Sequence, residues 1–388
     1  MSADYPEFLE WLYSQNLDLS GATYAKQRTA RNESLFSTSD FYSTNFWAFD
    51  HPATEVQFNN RPLQMAWARE HGMKVSYSEI ENTNSRNTEV VAYLKRKLRR
   101  HRRLLAPIAQ VIGLIPELHS ELRDVLLAQI EEFQPDVIIN QDIAHTDLSL
   151  LRRVKKKDMI LVAQCNVDPP IGIDLSCYDF GISLIPWVVE LFRSQGLKSV
   201  LHHLAFEPSV LEKLGPPPQK DVQVSFVGGL SSDHRQRISL LEAIAERHPL
   251  DLWLSNFRGL PANSSLRRHY RGSVWGKEMY HVLRRSKITL NSHIDASRGT
   301  AGNMRLYEAT GVGTFLLTDD LPNLPTLFEP GRQVGTYSSV QDCLDKLTFY
   351  LENANLREDI AREGQQKTLT HHTYNRRVAE LLHLFEAA

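Results

Sequence analysis

The chain has 388 residues, which points to about two domains, because a single hydrophobic core stops growing at roughly 250–300 residues. With 42% hydrophobic and 23% charged residues there is ample apolar material to bury, so disorder is excluded as the dominant state. Forty-four Lys plus Arg against 46 Asp plus Glu leave a formal charge of −2, which excludes a surface built around nucleic acid.

Residues 1–50 are aromatic and polar, with no clear period. From Glu55 the pattern becomes helical, with Val56, Leu63, Ala66 and Trp67 on one face and Gly72 after His71 as a stop. A strand is expected at 74–77 and helices at 89–106 and 117–133. Short apolar runs then alternate with helices: VIIN after Pro135-Asp136, MILVAQ after Asp158, FGISLI after Asp179, the helix PWVVELFRSQG, and VLHHL. Apolar runs this short, without alternation, suit strands buried on both faces of a parallel sheet. Residues 206–221 carry Pro216, Pro217 and Pro218 and read as a hinge, since consecutive prolines continue neither a helix nor a central strand. Beyond them come VQVSFVGG, a helix at 235–247, LDLWLSN, a helix at 276–285, SKITLN, a helix at 303–310, GTFLLTD, QVGTYS and closing helices from 340. The expectation is an α/β protein of two Rossmann-like domains facing a cleft, 1–205 and 222–388, with the closing helix free to pack back on the first domain.

Cys165, Cys177 and Cys343 are an odd, widely spaced set without a CxxC pair, which argues against a disulfide framework or a cysteine zinc site and for a reducing compartment. The opening MSADYPEFLEWLY lacks a basic-then-apolar signal pattern. The apolar stretch 104–118 is broken by Pro107, Gly113 and Pro116 and is too short to span a bilayer. A cytoplasmic protein is therefore expected. The basic run KRKLRRHRR at 95–103 beside that stretch fits either a solvated helix or peripheral contact with an anionic membrane.

Ligands of open α/β sheets bind beyond the carboxyl ends of the strands, so the residues just after each apolar run are the ones to read. After VSFV come Gly228 and Gly229 and, at the next helix, Arg235, a pattern that suits a phosphate or a plain βα turn. After ITLN come Ser292 and His293, then a glycine-bearing loop ending at Gly302, then a helix whose first turn is Asn303, Met304 and Arg305. The amides of that turn suit an anion, and Glu308 suits a vicinal diol such as a ribose, or else plain solvation. His293 fits a ligand contact or a structural role. In the first domain, Gln141, Asp142 and His145 follow VIIN and Asp168 follows LVAQCN. Asp142 and His145 are candidates for a catalytic base, while Asp142 could equally cap a helix and Asp168 shape a turn before Pro169. His51 is a further candidate. Asp319-Asp320 reads as a turn before Leu321-Pro322, and the pairs His202-His203 and His371-His372 do not suggest a metal site.

The block Asn303, Met304, Arg305, Glu308, Ala309 and Gly313, ahead of an apolar strand ending in Thr318-Asp319, resembles the donor half of GT-B glycosyltransferases, in particular the CgeB-like group. Leu327 to Gly331 resembles the group's LFEPGxE loop, with Gln333 in place of the acid. Tyr5 to Leu9, Ser39 to Tyr42 and the segment from Asn59 to Gly72 are similar to N-terminal segments of such proteins. The resemblance implies a nucleoside-diphosphate sugar as donor and transfer to the hydroxyl of a glycan, lipid-linked, protein or small-molecule acceptor bound at residues 1–205. It implies Glu308 on the ribose, and the amides of Gly302 to Arg305 with Gly228, Gly229 and Arg235 on the diphosphate, without a metal or other cofactor. A sugar-nucleotide epimerase or hydrolase and a non-catalytic nucleotide- or glycan-binding relative share the architecture. Two departures stand out: Thr300 occupies the place of the earlier of two glutamates found in many retaining enzymes, and only Met-Ser-Ala-Asp precedes Tyr5, where a first strand is expected.

Overall fold

The computed structural model describes residues 1–74, 120–146, 148–170, 172–230, 235–256, 260–261, 263–293 and 297–386. The strand expected at 74–77 falls outside these beyond its first residue, as do the helix at 89–106 and the basic and apolar runs at 95–118. The chain forms two units, Met1–Thr29 with Glu55–Leu201, and Ala30–Thr54 with His202–Ala388.

The first unit is built on four parallel strands, β1 (Val137–Asn140), β2 (Ile160–Gln164), β3 (Phe180–Ser183) and β4 (Ser199–Leu201), in the order β1-β2-β3-β4. Leu161, Val162 and Ala163 are fully buried, as the unbroken apolar run requires. Helix Pro186–Ser194 packs tightly on the sheet at Gly181, where a Cβ would come within 2.5 Å of the Phe192 ring. Met1 lies beside β1: its ammonium donates to the Ile139 carbonyl at 2.8 Å and its carbonyl accepts from Gln141 N at 2.9 Å. Ser2 bridges to Gln57 on its other side, so the region expected to hold a first strand contributes these short pairings.

The first fifty residues are helical despite their missing period, at Pro6–Gln15, Tyr24–Glu33 and Phe41–Trp47. The 24–33 helix explains why the pattern is invisible: its most buried positions include Gln27 and Arg31, each 1% exposed. Gln27 accepts from the Tyr13 hydroxyl and donates to the Ala22 carbonyl, and Arg31 donates to the Ser39 carbonyl. Burial is secured here by hydrogen bonds rather than by an apolar stripe. The next helix, Arg61–Glu70, starts six residues later than the periodicity from Glu55 suggests, because Asn60 caps it through Leu63 N and Pro62 sits in its first turn.

In the second unit β5 (Val222–Gly228), β6 (Leu250–Leu254), β7 (Ser286–Leu290), β8 (Phe315–Asp319) and β9 (Gly335–Tyr337) form a parallel sheet in the order β6-β5-β7-β8-β9. Helix Arg235–Arg247 and the helices from Val340 onward pack on it through a core that includes Leu241, Ile244, Leu347 and Ile360. Residues 30–54 belong here although they lie early in the chain. The Phe41 and Tyr42 rings meet Tyr374 of the closing helix, with centroids 5.2 and 5.0 Å away, and Asn45 donates to Glu207 at 2.7 Å. The closing helix, Tyr374–Glu386, therefore meets an N-terminal segment that is part of its own unit. The 206–221 segment contains helix Ser209–Leu214 and the buried Phe206, whose ring would be 2.4 Å from a Cβ on Gly311.

Candidate functional site

The carboxyl ends of β5, β7 and β8 share one edge of the second sheet, where a ligand of a parallel α/β sheet belongs. Asn291, one residue past β7, is 3% exposed and exchanges two side-chain hydrogen bonds with Asn303, at 2.8 and 3.1 Å. It also donates to Thr318 Oγ1 at 3.1 Å. Asn303 is the N-cap residue of helix Met304–Gly311, and with its side chain on Asn291 it makes no cap to its own helix. The first backbone N–H groups of that helix, at Met304 and Arg305, have no partner within the helix and can meet an anion.

His293 joins β8 to the loop before this helix. Its Nδ1 lies 2.6 Å from Asp319 Oδ1, its backbone N–H donates to Asp319 Oδ2 at 3.1 Å, and its Nε2 accepts from Gly302 N at 3.1 Å. An accepting Nε2 and a donating Nδ1 define the neutral ring with its proton on Nδ1. Asn323 fixes the neighbouring Ala301 in both directions, at 2.7 and 2.9 Å. Gly302 has φ +144°, a backbone region that favours glycine, so the loop needs a glycine there.

Arg305 and Glu308 face each other one turn apart, Nη1 to Oε2 at 2.9 Å, with side chains 12% and 6% exposed. Burial raises the Glu308 carboxyl above its ordinary value, opposed by the Arg305 charge. Arg305 Nη2 also donates to the Val227 carbonyl of β5 at 3.2 Å. Its Nε and Nη1 are buried with no hydrogen-bond partner, the Glu308 contact being an ion pair without hydrogen-bond alignment. An unmet buried donor costs about 1–3 kcal/mol and more when charged, so this guanidinium is poised for a further acceptor.

The fold thus brings His293, Gly302, Asn303, Met304, Arg305 and Glu308 together, as their spacing suggests, but it divides their tasks differently. The Gly302 N–H is spent on His293, and both ring nitrogens of His293 are spent on the protein. Glu308 is buried rather than solvated. Gly228 ends β5 and Gly229 follows it, both without positive φ. The Gly229 carbonyl accepts from Arg237 Nη1 at 2.9 Å, and a Cβ at Gly229 would meet Ser255 Oγ at 3.3 Å. Arg235 begins helix Arg235–Arg247, its side chain and the preceding residues 231–234 lying outside the described residues.

Two supporting residues escape the sequence reading. Arg237, 8% exposed, spans from the Gly229 carbonyl to the Ser292 carbonyl, tying the end of β5 to the end of β7. It stands two positions after Arg235, the first residue of the same helix. Asp319 is not the turn residue that Leu321-Pro322 suggests; it anchors His293. Its position at the end of an apolar strand is the signal that could have marked it.

At the end of β1 in the first unit, Asp142 and His145 form a pair, with His145 Nδ1 2.9 Å from both carboxylate oxygens. Asn140, fully buried, accepts from Asp142 N at 3.2 Å and from Thr146 Oγ1 at 3.1 Å, which fixes the turn between them. The His145 side chain is 51% exposed and Asp142 18%. Gln141 instead reaches Gln164 at the end of β2, at 3.1 Å. Burial pushes the Cys165 thiol up to about 11, with Asp142 and Asp168 adding to the shift, so both carboxylates lie within electrostatic reach of it. His51 is exposed and belongs to the second unit.

Among the described residues no cluster of three His, Cys, Asp or Glu side chains could hold a metal ion, and no helix is long and apolar enough to cross a membrane.

Residues 235–383 match the model of a family described as glycosyl transferase-like. We find no curated protein whose sequence matches the chain. Among solved structures the chain is similar to sucrose-phosphate synthase from Thermosynechococcus elongatus, with a TM-score of 0.51 at 11% identity over 74% of this chain and 79% of that one. It is also similar to a TarM variant from S. aureus, with a TM-score of 0.50 at 10% identity over 68% of this chain and 59% of that one. At such identities the likeness is one of fold, and the family match is to the broad family rather than to the CgeB-like group. The chain has a two-sheet α/β fold of the GT-B type, and its residues 235–383 are similar to the glycosyl transferase-like family.

Proposed function

We propose that the protein transfers a glycosyl group from a nucleoside-diphosphate sugar to an acceptor hydroxyl. The observation that carries this reading is Arg305: a largely buried guanidinium, ion-paired through Nη1 with Glu308 and with its Nε unmet, at the first turn of helix Met304–Gly311, inside the segment that matches the family. The amides of Met304 and Arg305 add a partial positive charge on the same side. Together they suit the diphosphate of a donor and the negative charge that grows on it as the sugar leaves, without a metal. Glu308 holds Arg305 in place, and its role towards a ribose is secondary to that pairing.

For the acceptor, Asp142 and His145 supply a base. Asp142 engages Nδ1, which leaves Nε2 as the nitrogen that takes the acceptor proton, and the carboxylate stabilises the imidazolium that results. The acceptor oxygen forms its bond to the anomeric carbon as the bond from that carbon to the diphosphate oxygen breaks, with the electron pair leaving on the diphosphate. A base of this kind fits a single, inverting displacement. The acceptor is a glycan, a lipid-linked molecule, a protein or a small molecule, and a cytoplasmic setting fits the cysteine usage. Contact with an anionic membrane through 95–118 is an additional proposal, tested by flotation with anionic vesicles.

The donor reading is tested by thermal shift with UDP, GDP, ADP, CMP and dTDP and their sugars. A ligand at a hundred times its dissociation constant adds about 2.7 kcal/mol of stability. One clear responder, lost in Arg305→Ala, is the expected result; silence across the set, or an Arg305→Ala protein that responds like wild type, defeats the reading.

A further inference from the structure

We propose that His293, fixed by Asp319, is a positioning residue that sets the loop before helix Met304–Gly311 and so aims the first turn of that helix at the donor's phosphates. This rests on the donor reading above.

Three struts hold the loop. Asn323 binds Ala301 through both its backbone groups, Asn291 pairs with the Asn303 side chain, and between them the Gly302 N–H donates to His293 Nε2 at 3.1 Å. The two amide struts work whichever way their neighbours are protonated. The His293 strut works only while Nε2 carries no proton, because a protonated Nε2 would set one N–H against another. Asp319 selects the Nδ1–H tautomer of the neutral ring: Oδ1 accepts from Nδ1 at 2.6 Å and Oδ2 accepts from the His293 backbone N–H at 3.1 Å, so ring and chain are gripped together. Thr318 Oγ1 donates to Asp319 Oδ1 at 3.0 Å and fixes the carboxylate in turn.

The clamp acts where the chain is least able to hold itself. Gly302, at φ +144°, has the conformational freedom of a glycine, and the next residue is the N-cap of the helix. Releasing Gly302 lets the amides of Met304 and Arg305 swing without breaking any element of the sheet. His293 is 3% exposed at its side chain and has both nitrogens engaged, so its effect on the donor passes through the backbone.

The test uses the full chain in four forms, wild type, His293→Ala, His293→Gln and Asp319→Ala, with three readouts. In protein labelled with 15N-histidine, the wild-type His293 ring is expected to carry its proton on Nδ1. Hydrogen exchange at the Gly302 amide is expected to be slow in wild type and at least about tenfold faster in His293→Ala and Asp319→Ala, the equivalent of one lost hydrogen bond. His293→Gln, which keeps an acceptor oxygen on a side chain of similar reach, is expected to recover most of the protection. For the nucleoside diphosphate that binds wild type best in the set above, His293→Ala weakens binding about tenfold and raises the donor KM with kcat within about twofold, and His293→Gln restores both.

A wild-type ring protonated on Nε2, or unchanged Gly302 exchange in His293→Ala, overturns the proposal. So does lost protection with unchanged nucleotide affinity, and in that case the donor reading stands. A wild type that binds none of the diphosphates overturns the donor reading and the positioning role with it. If His293→Ala fails to fold, the wild-type ring signal and the His293→Gln protein still decide.

Discussion

The carboxyl edges of the two sheets are furnished in opposite ways. On the second sheet three described polar side chains are buried and committed: Asn291 is 3% exposed, the His293 and Glu308 side chains 3% and 6%, and each meets a neighbour at the same edge. On the first sheet the Asp142–His145 pair is more open, with the His145 side chain 51% exposed beside a buried Asn140. A site that must neutralise a diphosphate gains from donors locked before the ligand arrives, since they then need no reorganisation. A site that must exchange a proton with an acceptor gains from an accessible ring held only at its far nitrogen. The difference predicts that substitutions at the second edge change binding and stability together, and that those at the first change turnover alone.

The largest effect is expected there. His145→Ala should lower kcat about 10²–10⁴-fold, the usual worth of a general base, and leave the melting temperature within about a degree because the side chain is half exposed. Asp142→Asn should lose less, since an amide oxygen can still take the Nδ1 proton but stabilises the imidazolium poorly. Rates measured with saturating donor and acceptor decide the matter. A His145→Ala enzyme with wild-type kcat would remove the base from the first unit and leave the comparison with one functional edge.

At the second edge, Arg305→Ala should weaken nucleotide binding about 10–100-fold, the worth of one or two charge-assisted hydrogen bonds. It also leaves Glu308 buried without its cation, which costs about 3–5 kcal/mol or drives the carboxyl, already raised by burial, to protonate. The double variant Arg305→Ala with Glu308→Gln separates the two consequences. Calorimetry and thermal melts should find stability largely regained and affinity still lost. If affinity returned with stability, Arg305 would be a structural residue only.

How much of this is legible in the sequence follows from which residues are buried. The strands of both sheets are apolar runs, and their places along the chain are apparent from those runs. The helix at 24–33 is hidden because Gln27 and Arg31, at 1% exposure, do the work of apolar residues. The assignment of residues 30–54 to the second unit is hidden as well, since it depends on contacts such as Asn45 with Glu207, 162 positions apart. In the site, the cluster from Gly302 to Glu308 is legible through its position after a strand. The roles within it are not. Whether an N–H at Gly302 meets a ligand or a histidine depends on Asp319, which sequence context assigns to a turn.

Gly276→Ala addresses the scaffold of the second edge. Gly276 has φ +48°, and a Cβ there would lie 1.9 Å from the Ser34 carbonyl oxygen, which accepts from Lys277 N at 2.6 Å. Strained backbone and a clash with a main-chain atom together should cost about 2–4 kcal/mol. Residues 30–54 should become the first site of proteolysis if they are an integral part of the second unit. Cleavage elsewhere at an unchanged melting temperature would place them outside it.

The smallest effect separates the units by acid. Burial, followed by the charges of Arg377 and His203, lowers His202 from 6.5 to about 3. Burial lowers His372 to about 4, against a hydrogen bond with the Leu327 carbonyl and with help from Arg377, Lys367 and His203. Both rings are therefore neutral in the fold and take up a proton on unfolding near pH 6.5. The unfolded chain binds more protons below that value, so stability is fully present above about pH 6.5 and falls as the pH drops towards 4. Each histidine contributes about 1 kcal/mol per pH unit in this window. Between pH 7 and 5.5 the second unit should lose a few degrees of melting temperature, with exchange rising first around His202 and His372. A flat profile, or a loss that begins in the first unit, would mean that the tightly bonded half of the molecule is not the acid-sensitive one, and the contrast between the two edges would then rest on function alone.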